Sequence, residues 1–333
     1  MFSSNAFPVQ AIDLTVVLTG GSRGMGLAAA RQLAEKGAHV VIVVRDQQKL
    51  IEGLEYIRSG ASHPTSQRFL QISADLTSSS EAARVIKEVV AWNSGPPDIV
   101  WCCAGTAHPT LFIDMPASEL HNQMQSNYFT SAYMAHAAMN CWLRKPAAGA
   151  RPKNPAPRHL IFIASLVAFY SFAGYASYAP AKAALRALSD TLSQEMSLYM
   201  GANPDEPPVR LHTIFPGTIL SEALEVENAI KTDLTKLFEE GGVGQTPEVI
   251  ARKSIRALEG GEELVTTELN TALLRYSMIG GNRRGWVRVL SDWFLAGVLA
   301  IVMVFIRGDM DRKARKWGRA FGTSGMKTAR EMK

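Results

Sequence analysis

Three side chains define the chemistry open to this sequence. Tyr178 and Lys182 lie four residues apart in Tyr178-Ala179-Pro180-Ala181-Lys182, a spacing that puts both on one helix face, a turn apart. An ammonium beside a phenol favours the phenolate. The pair therefore predicts a Tyr178 pKa below the ordinary phenol range and a group that gives and takes protons near neutral pH. Ser165, thirteen residues before Tyr178, follows the apolar run 160–164, where its hydroxyl could hold a substrate carbonyl oxygen. Singly these residues are ordinary: YxxxK is common on helix surfaces and a serine after a strand is unremarkable. As a set they point to proton transfer at a carbonyl.

Such a site needs a reaction partner, and a second motif supplies one. Thr19-Gly20-Gly21-Ser22-Arg23-Gly24-Met25-Gly26 stands between a β-branched run and a helical pattern. Glycines there permit a tight turn and let a pyrophosphate approach the first helix, whose free N–H groups and dipole favour anions. A lone glycine trio is weak; its place after a strand and before a helix makes it a dinucleotide loop. Folds that select NAD end the second strand on a carboxylate that holds the ribose 2′-hydroxyl. Here that strand ends Val43-Val44-Arg45, and Arg23 can approach the same spot. Two guanidiniums suit a 2′-phosphate, so the cofactor read from the sequence is NADPH, although Asp46 adjoins Arg45 and either arginine could be simply solvated. Asp75 and Leu76 follow the third strand, where they could touch an adenine ring. Ala104 and Gly105 follow the fourth, where small residues let a cofactor lie against the backbone.

The elements that must position these groups alternate regularly. Strand-like runs at 14–18, 39–44, 69–73, 99–102, 160–164, 209–215 and 264–266 are separated by helical patterns. The run at 39–44 is almost wholly Val and Ile, as a strand buried on both faces should be. The helical patterns fall at 27–35, 47–58, 79–92 and 117–143, with a further long helix carrying Tyr178. This predicts an α/β fold, a Rossmann-type doubly wound parallel sheet of about seven strands. Two loops look inserted: the proline-rich 144–158 and the turn at 201–208. The first ten residues lack the basic-then-apolar pattern of a secretory leader, and the expectation is a chain without one.

The chain resembles the short-chain dehydrogenase/reductase family over about residues 10–270. The family's TGxxxGxG is met by Thr19, Gly20, Gly24 and Gly26, and its catalytic triad by Ser165, Tyr178 and Lys182. Asn127, in Gln125-Ser126-Asn127-Tyr128, matches the helix asparagine that supports a water-mediated proton relay to the lysine. Pro216-Gly217-Thr218-Ile219-Leu220-Ser221 resembles the PGxVxT segment at the nicotinamide end of the cofactor, which brings Pro216 and Ile219 to the cofactor-binding residues. Cys102-Cys103-Ala104-Gly105 stands where NNAG is usual; these cysteines read as small core residues rather than nucleophiles. The resemblance implies that hydride moves between a nicotinamide and a carbonyl, with Tyr178 as acid, Ser165 holding the oxygen, and Lys182 holding the ribose.

The carboxyl-terminal part differs in kind. The net charge is +5, but from Arg283 onward it is +8, leaving the first 282 residues at −3. A mildly acidic body argues against nucleic acid as a partner. Three cysteines exclude a disulfide framework and a four-ligand zinc site, and no metal is expected. Residues 293–306 are uncharged and strongly apolar, about 21 Å long as a helix at ~1.5 Å per residue, against a bilayer core of about 30 Å. A buried core helix and a membrane-embedded one both fit. Basic flanks (Arg283, Arg284 and Arg288 before; Arg307, Arg312, Lys313, Arg315 and Lys316 after) with Trp286, Trp293 and Trp317 favour an interfacial segment or one that dips in and returns. The expected division is 1–270, a catalytic NADPH-binding domain, and 271–333, a membrane-associated helical extension with a basic tail.

A narrower resemblance, to the 3-ketodihydrosphingosine reductases, rests on the TGGSxGxG loop with its basic cofactor signature, on Thr246-Pro247-Glu248 followed by Gly260-Gly261, and on the apolar extension. It implies reduction of a long-chain lipid ketone at the endoplasmic reticulum membrane, with the catalytic domain facing the cytosol. A reductase acting on a steroid, retinoid or 3-oxoacyl lipid shares the same carbonyl chemistry. A nucleotide-binding scaffold that has lost catalysis fits less well with an intact Ser/Tyr/Lys/Asn set. Phe169, Tyr170, Phe172 and Tyr175 either line an apolar substrate channel or pack in the core. Residues 217–245 read as a lid, and Glu222 or Glu225 could meet a substrate amine. Relatives pair through the long helices here near 117–143 and 175–202, so the resemblance also implies a homo-oligomer.

Overall fold

The structure, a computed structural model, describes residues 7–8, 10–144, 156–239, 242–276 and 286–322. Seven parallel strands form one sheet in the order β3-β2-β1-β4-β5-β6-β7. They are β1 (Thr15–Thr19), β2 (His39–Val44), β3 (Phe69–Ser73), β4 (Ile99–Cys102), β5 (Arg158–Ile163), β6 (Val209–Phe215) and β7 (Leu264–Thr266). The parallel doubly wound sheet expected from the alternation of runs is present.

Side chains alternate between the two faces of each strand and feed two cores. Val16, Leu18, Val40 and Ile42 pack against α1 (Gly24–Glu35), α2 (Gln47–Arg58) and α9 (Pro247–Glu259). Val17, Val41 and Val43 pack on the opposite face against α3 (Ser79–Asn93), α5 (Thr130–Leu143) and α6 (Tyr178–Ala202). The sheet is therefore covered on both faces, which is why β2 carries no polar alternation. Strand order reverses between β1 and β4, and the carboxyl ends of the strands open there into a crevice.

The helical pattern at 117–143 is one helix with a defect. α4 (Ser118–Met124) runs into a π turn at Gln125–Phe129 and on into α5. The Gly217 side of the crevice carries two short helices, α7 (Glu222–Ile230) and α8 (Asp233–Glu239). This excursion is pinned at its base: Leu220 N donates to Gln245 O at 2.9 Å and Gln245 N to Thr218 O at 3.0 Å. Thr246 caps α9 by accepting from Val249 N, as the Thr-Pro-Glu start predicts. Most of the proline-rich loop expected at 144–158 lies outside the described residues, as do Arg283 and Arg284.

The reading of the extension as a segment that dips in and returns is corrected. After α10 (Leu269–Tyr276), α11 runs unbroken over Trp286–Phe321 with no turn within it. Among the described residues, no helix is long and apolar enough to cross a membrane. The far end of α11 packs on α6 backbone to backbone: a Cβ on Gly201 would run into the Arg315 carbonyl, and one on Gly318 into the Leu198 carbonyl.

Candidate active site

The crevice is a cavity of about 500 Å³ lined by the glycine loop, the ends of β2, β4 and β5, the start of α6, and the α7–α8 excursion. Gly20, Ser22, Arg23, Gly24, Gly26, Arg45, Asp75, Leu76, Ala104, Gly105, Pro216 and Ile219 all line it, with Ser165, Tyr178 and Lys182. Gly20 holds φ +65°, and a Cβ there would sit 3.0 Å from the Ala104 backbone. Glycine is thus required both for the conformation and for the approach of the two loops. Thr19 locks the same junction, its Oγ1 accepting from Cys103 N at 3.1 Å and Ala104 N at 3.2 Å. The result is an open cradle of backbone at the amino end of α1, with two arginines at its rim. It fits a dinucleotide phosphate.

At the β2 end, Asp46 accepts from Lys49 N at 3.1 Å and caps α2. The one carboxylate beside Arg45 is therefore engaged in a helix cap. The same cap places Lys49 on the cavity wall, a cation that the sequence reading missed. Its position three residues after a capping Asp was the available signal. Asp75 is also engaged, accepting from Thr77 N and Oγ1 at 3.1 and 2.9 Å.

Ser165 lies two residues beyond β5 and starts a short 3-10 turn at Leu166–Ala168, its hydroxyl accepting weakly from Val167 N. It stands close enough to the Tyr178 phenol to act on it, drawing the phenol's pKa down. Lys182 is buried, donates to the Ile163 carbonyl at 2.9 Å, and stands 5.4 Å from the centroid of the Tyr178 ring. Asn127 sits in the π turn, fully buried, and does not line the cavity. Its amide donates to Thr106 O (2.8 Å) and Gln123 O (3.0 Å) and accepts from Thr106 N (3.2 Å). A Cβ on Gly105 would lie 2.6 Å from Asn127 Oδ1 and 3.2 Å from Lys182 Nζ, so a missing side chain leaves Asn127 and Lys182 room on one spot. π turns of this kind concentrate at functional positions.

The predicted lowering of the Tyr178 pKa is corrected. Burial is the largest influence and pushes the phenol well above its ordinary range; nearby Glu227 adds to this and the Ser165 hydroxyl opposes it. Burial also brings Lys182 down to about 8. Desolvation disfavours both charged forms, so in the free chain it outweighs the ammonium–phenol attraction that the spacing suggests.

Towards the substrate end, Phe172 and Tyr175 line the cavity as a channel would require. Phe169 instead packs on Phe215 with ring centroids 4.2 Å apart, and Tyr170 points to solvent. Glu222 and Glu225 are exposed and off the cavity; Glu227, Lys231 and Glu239 line it. Cys102 is a core residue as expected, its thiol pushed up to about 12 by burial, whereas Cys103 is only part-buried and lines the cavity, its thiol also raised by desolvation.

The short chain dehydrogenase family model matches residues 14–231 of this chain. The chain belongs to that family. It is therefore an oxidoreductase that uses a nicotinamide cofactor. The 3-ketodihydrosphingosine reductase ksrA of Aspergillus fumigatus is 44% identical over 328 residues, covering 95% of this chain and 87% of the relative. The 3-ketodihydrosphingosine reductase gsl-3 of Neurospora crassa is 40% identical over 326 residues, covering 97% and 87%. Among solved structures, a short-chain type dehydrogenase/reductase from Mycobacterium ulcerans superposes with a TM-score of 0.62 at 21% identity, covering 78% of this chain and 89% of that one. One from Mycobacterium marinum gives 0.63 at 20% identity, covering 77% and 94%. At such identity the superpositions speak for the fold alone.

Proposed function

We propose that this chain reduces 3-ketodihydrosphingosine to dihydrosphingosine with NADPH. The observation that carries the reading is the near end-to-end match, at 44% and 40% identity, to two reductases named for that substrate. When bound, the cofactor supplies a hydride to the carbonyl carbon. The rest is the work of this chain's side chains. Tyr178 rests as a neutral phenol and gives its proton to the carbonyl oxygen as that oxygen becomes an alkoxide. Ser165 donates a hydrogen bond to the same oxygen and stabilises its developing charge. Lys182, with a pKa near 8, holds a proton at neutral pH and faces the spot beside Gly105 that Asn127 also borders, from which the phenol can be reprotonated. Arg23, Arg45 and Lys49 all line the cavity, where their charges would suit a 2′-phosphate, and the engagement of Asp46 in its helix cap supports NADPH over NADH.

We further read α11 as a surface-lying helix at the cytosolic face of the endoplasmic reticulum. Trp293, Phe294, Val298, Ile301, Val302, Val304 and Phe305 are all exposed and fall within one half of the helix circumference. Exposed Arg312 and Lys313 follow them, which suits anionic headgroups. A long-chain ketone partitions to the same surface.

The test is NADPH oxidation by the purified protein with 3-ketodihydrosphingosine, beside a steroid ketone and a 3-oxoacyl thioester. Consumption with the first, yielding dihydrosphingosine, is expected. Turnover of only the other ketones overturns the substrate, and NADH serving as well as NADPH overturns the cofactor.

A further inference from the structure

The α7–α8 wall of the cavity holds three ionisable groups outside the cofactor residues named above: Glu227 on α7, Lys231 just beyond it, and Glu239 at the end of α8. Two of these are already matched. Lys231, its side chain 1% exposed, donates to Glu239 Oε2 at 2.7 Å, and the Tyr175 hydroxyl donates to Glu239 Oε1. Both oxygens of Glu239 are thereby occupied and the Lys231 charge is balanced. Glu227 is different. Among the described residues no hydrogen bond or salt bridge reaches its carboxylate, although it lines the cavity and stands close enough to Tyr178 for its charge to act on the phenol.

An unpaired carboxylate withdrawn from water is costly, and a cation is what would relieve it. Burial pushes the Glu227 carboxyl up to about 7, with Lys231 pulling the other way and Glu239 reinforcing the rise. If the reading given under Proposed function holds, the substrate brings such a cation: its amine stands two bonds from the carbonyl carbon. With the ketone oxygen at Ser165 and Tyr178, the amine is confined to the neighbourhood of the same phenol. We propose that Glu227 binds the substrate ammonium, and that it thereby selects 2-amino ketones and sheds a negative charge that otherwise opposes departure of the Tyr178 proton. The second effect follows from charge balance. Proton donation leaves a phenolate beside Glu227, two like charges in a half-buried cavity, and the ammonium neutralises one of them. A ketone without the amine loses the ion pair and leaves the repulsion in place.

The experiment compares 3-ketodihydrosphingosine with its analogue lacking the amine, on the intact wild type and on Glu227→Gln and Glu227→Ala, with NADPH binding followed separately by fluorescence. Wild type is expected to favour the amino ketone by about 10–100-fold in kcat/KM, the range of a charge-assisted hydrogen bond. In both variants most of that preference disappears, because the amino ketone falls while the plain ketone holds or improves, and NADPH binding is unchanged. A wild type indifferent to the amine overturns the proposal without recourse to any variant. So does an equal fall for both ketones with the preference intact. A wild type that does not reduce the amino ketone rejects the reductase reading itself and this proposal with it; turnover without discrimination rejects Glu227 alone.

Discussion

Lys182 gives its hydrogen bond to the Ile163 carbonyl at 2.9 Å, while the Tyr178 ring centroid stands 5.4 Å from its Nζ. The lysine is thus tied to the end of β5, the strand that leads to Ser165, and not to the phenol it neighbours. Its ammonium is buried with a single neutral acceptor, and this has a measurable effect on stability. The folded-state pKa, about 8, lies below the ordinary 10.5. Below pH 8 both folded and unfolded chains carry the proton, and the folded state bears the full cost of the buried charge. Between pH 8 and 10.5 the unfolded chain binds more protons, so this contribution to stability improves as pH rises. Lys182→Met, free of that cost, should therefore gain on wild type at pH 7 and lose the advantage by pH 10.5. The change in the difference is on the order of 3 kcal/mol at about 1.4 kcal/mol per pKa unit. Urea unfolding at the two pH values measures it; a pH-independent difference would reject the buried-ammonium account.

Tyr178→Phe removes one oxygen and the transferable proton. Turnover should fall by about 10²–10⁴-fold, the usual contribution of a positioned general acid. NADPH binding, read by fluorescence, should stay close to wild type. Retained turnover would remove Tyr178 from the acid role.

Arg45→Ala tests the 2′-phosphate reading. The expected result is a rise in KM for NADPH of at least about 10-fold with little change for NADH, as befits a lost charge-assisted contact. Asp46→Ala is the companion variant. It should cost about 1 kcal/mol as a lost helix cap and leave the cofactor preference in place. An equal effect of Arg45→Ala on both cofactors would sink the assignment.

Gly318→Ala should destabilise by about 1–3 kcal/mol, because the new methyl meets the Leu198 carbonyl and α11 must lift from α6. Gly297→Ala, on the same helix with nothing within 4 Å, should be neutral or stabilise by up to about 1 kcal/mol through helix propensity. Thermal unfolding and protease cleavage within α11 separate the two. Equal behaviour would mean that the glycine contact does not hold the helices together.

What the sequence disclosed and what it hid follow from the range of the forces involved. Gly20, Tyr178 and Lys182 act through spacing along one turn or one loop, and linear order is enough to see them. The valines of β2 report their burial through composition alone. The Tyr178 pKa could not be read in the same way, because desolvation depends on everything packed around the phenol, while the spacing shows only the neighbouring ammonium. Linear order offers no way to choose Glu227 over Glu222 and Glu225, for a similar reason: three glutamates in one helix are equivalent until the cavity selects a face. The π turn that buries Asn127 carries no periodic signature, since it displaces the register by a single residue. The contacts of Gly201 with Arg315 and of Gly318 with Leu198 join positions more than a hundred residues apart, and glycines in long helices look like mere weak points until the partner helix is placed.

Those last contacts have a mechanical meaning. Tyr178 opens α6 and Gly201 lies near its other end, so the phenol and the α11 joint are separated by roughly 35 Å of unbroken helix at ~1.5 Å per residue. A single rod thus carries the cavity phenol at one tip and the packing of α11 at the other. On the proposed reading, in which α11 lies on a membrane, that surface would set the height and tilt of the cavity mouth, and a change at the glycine joint would re-aim the mouth while leaving its chemistry untouched.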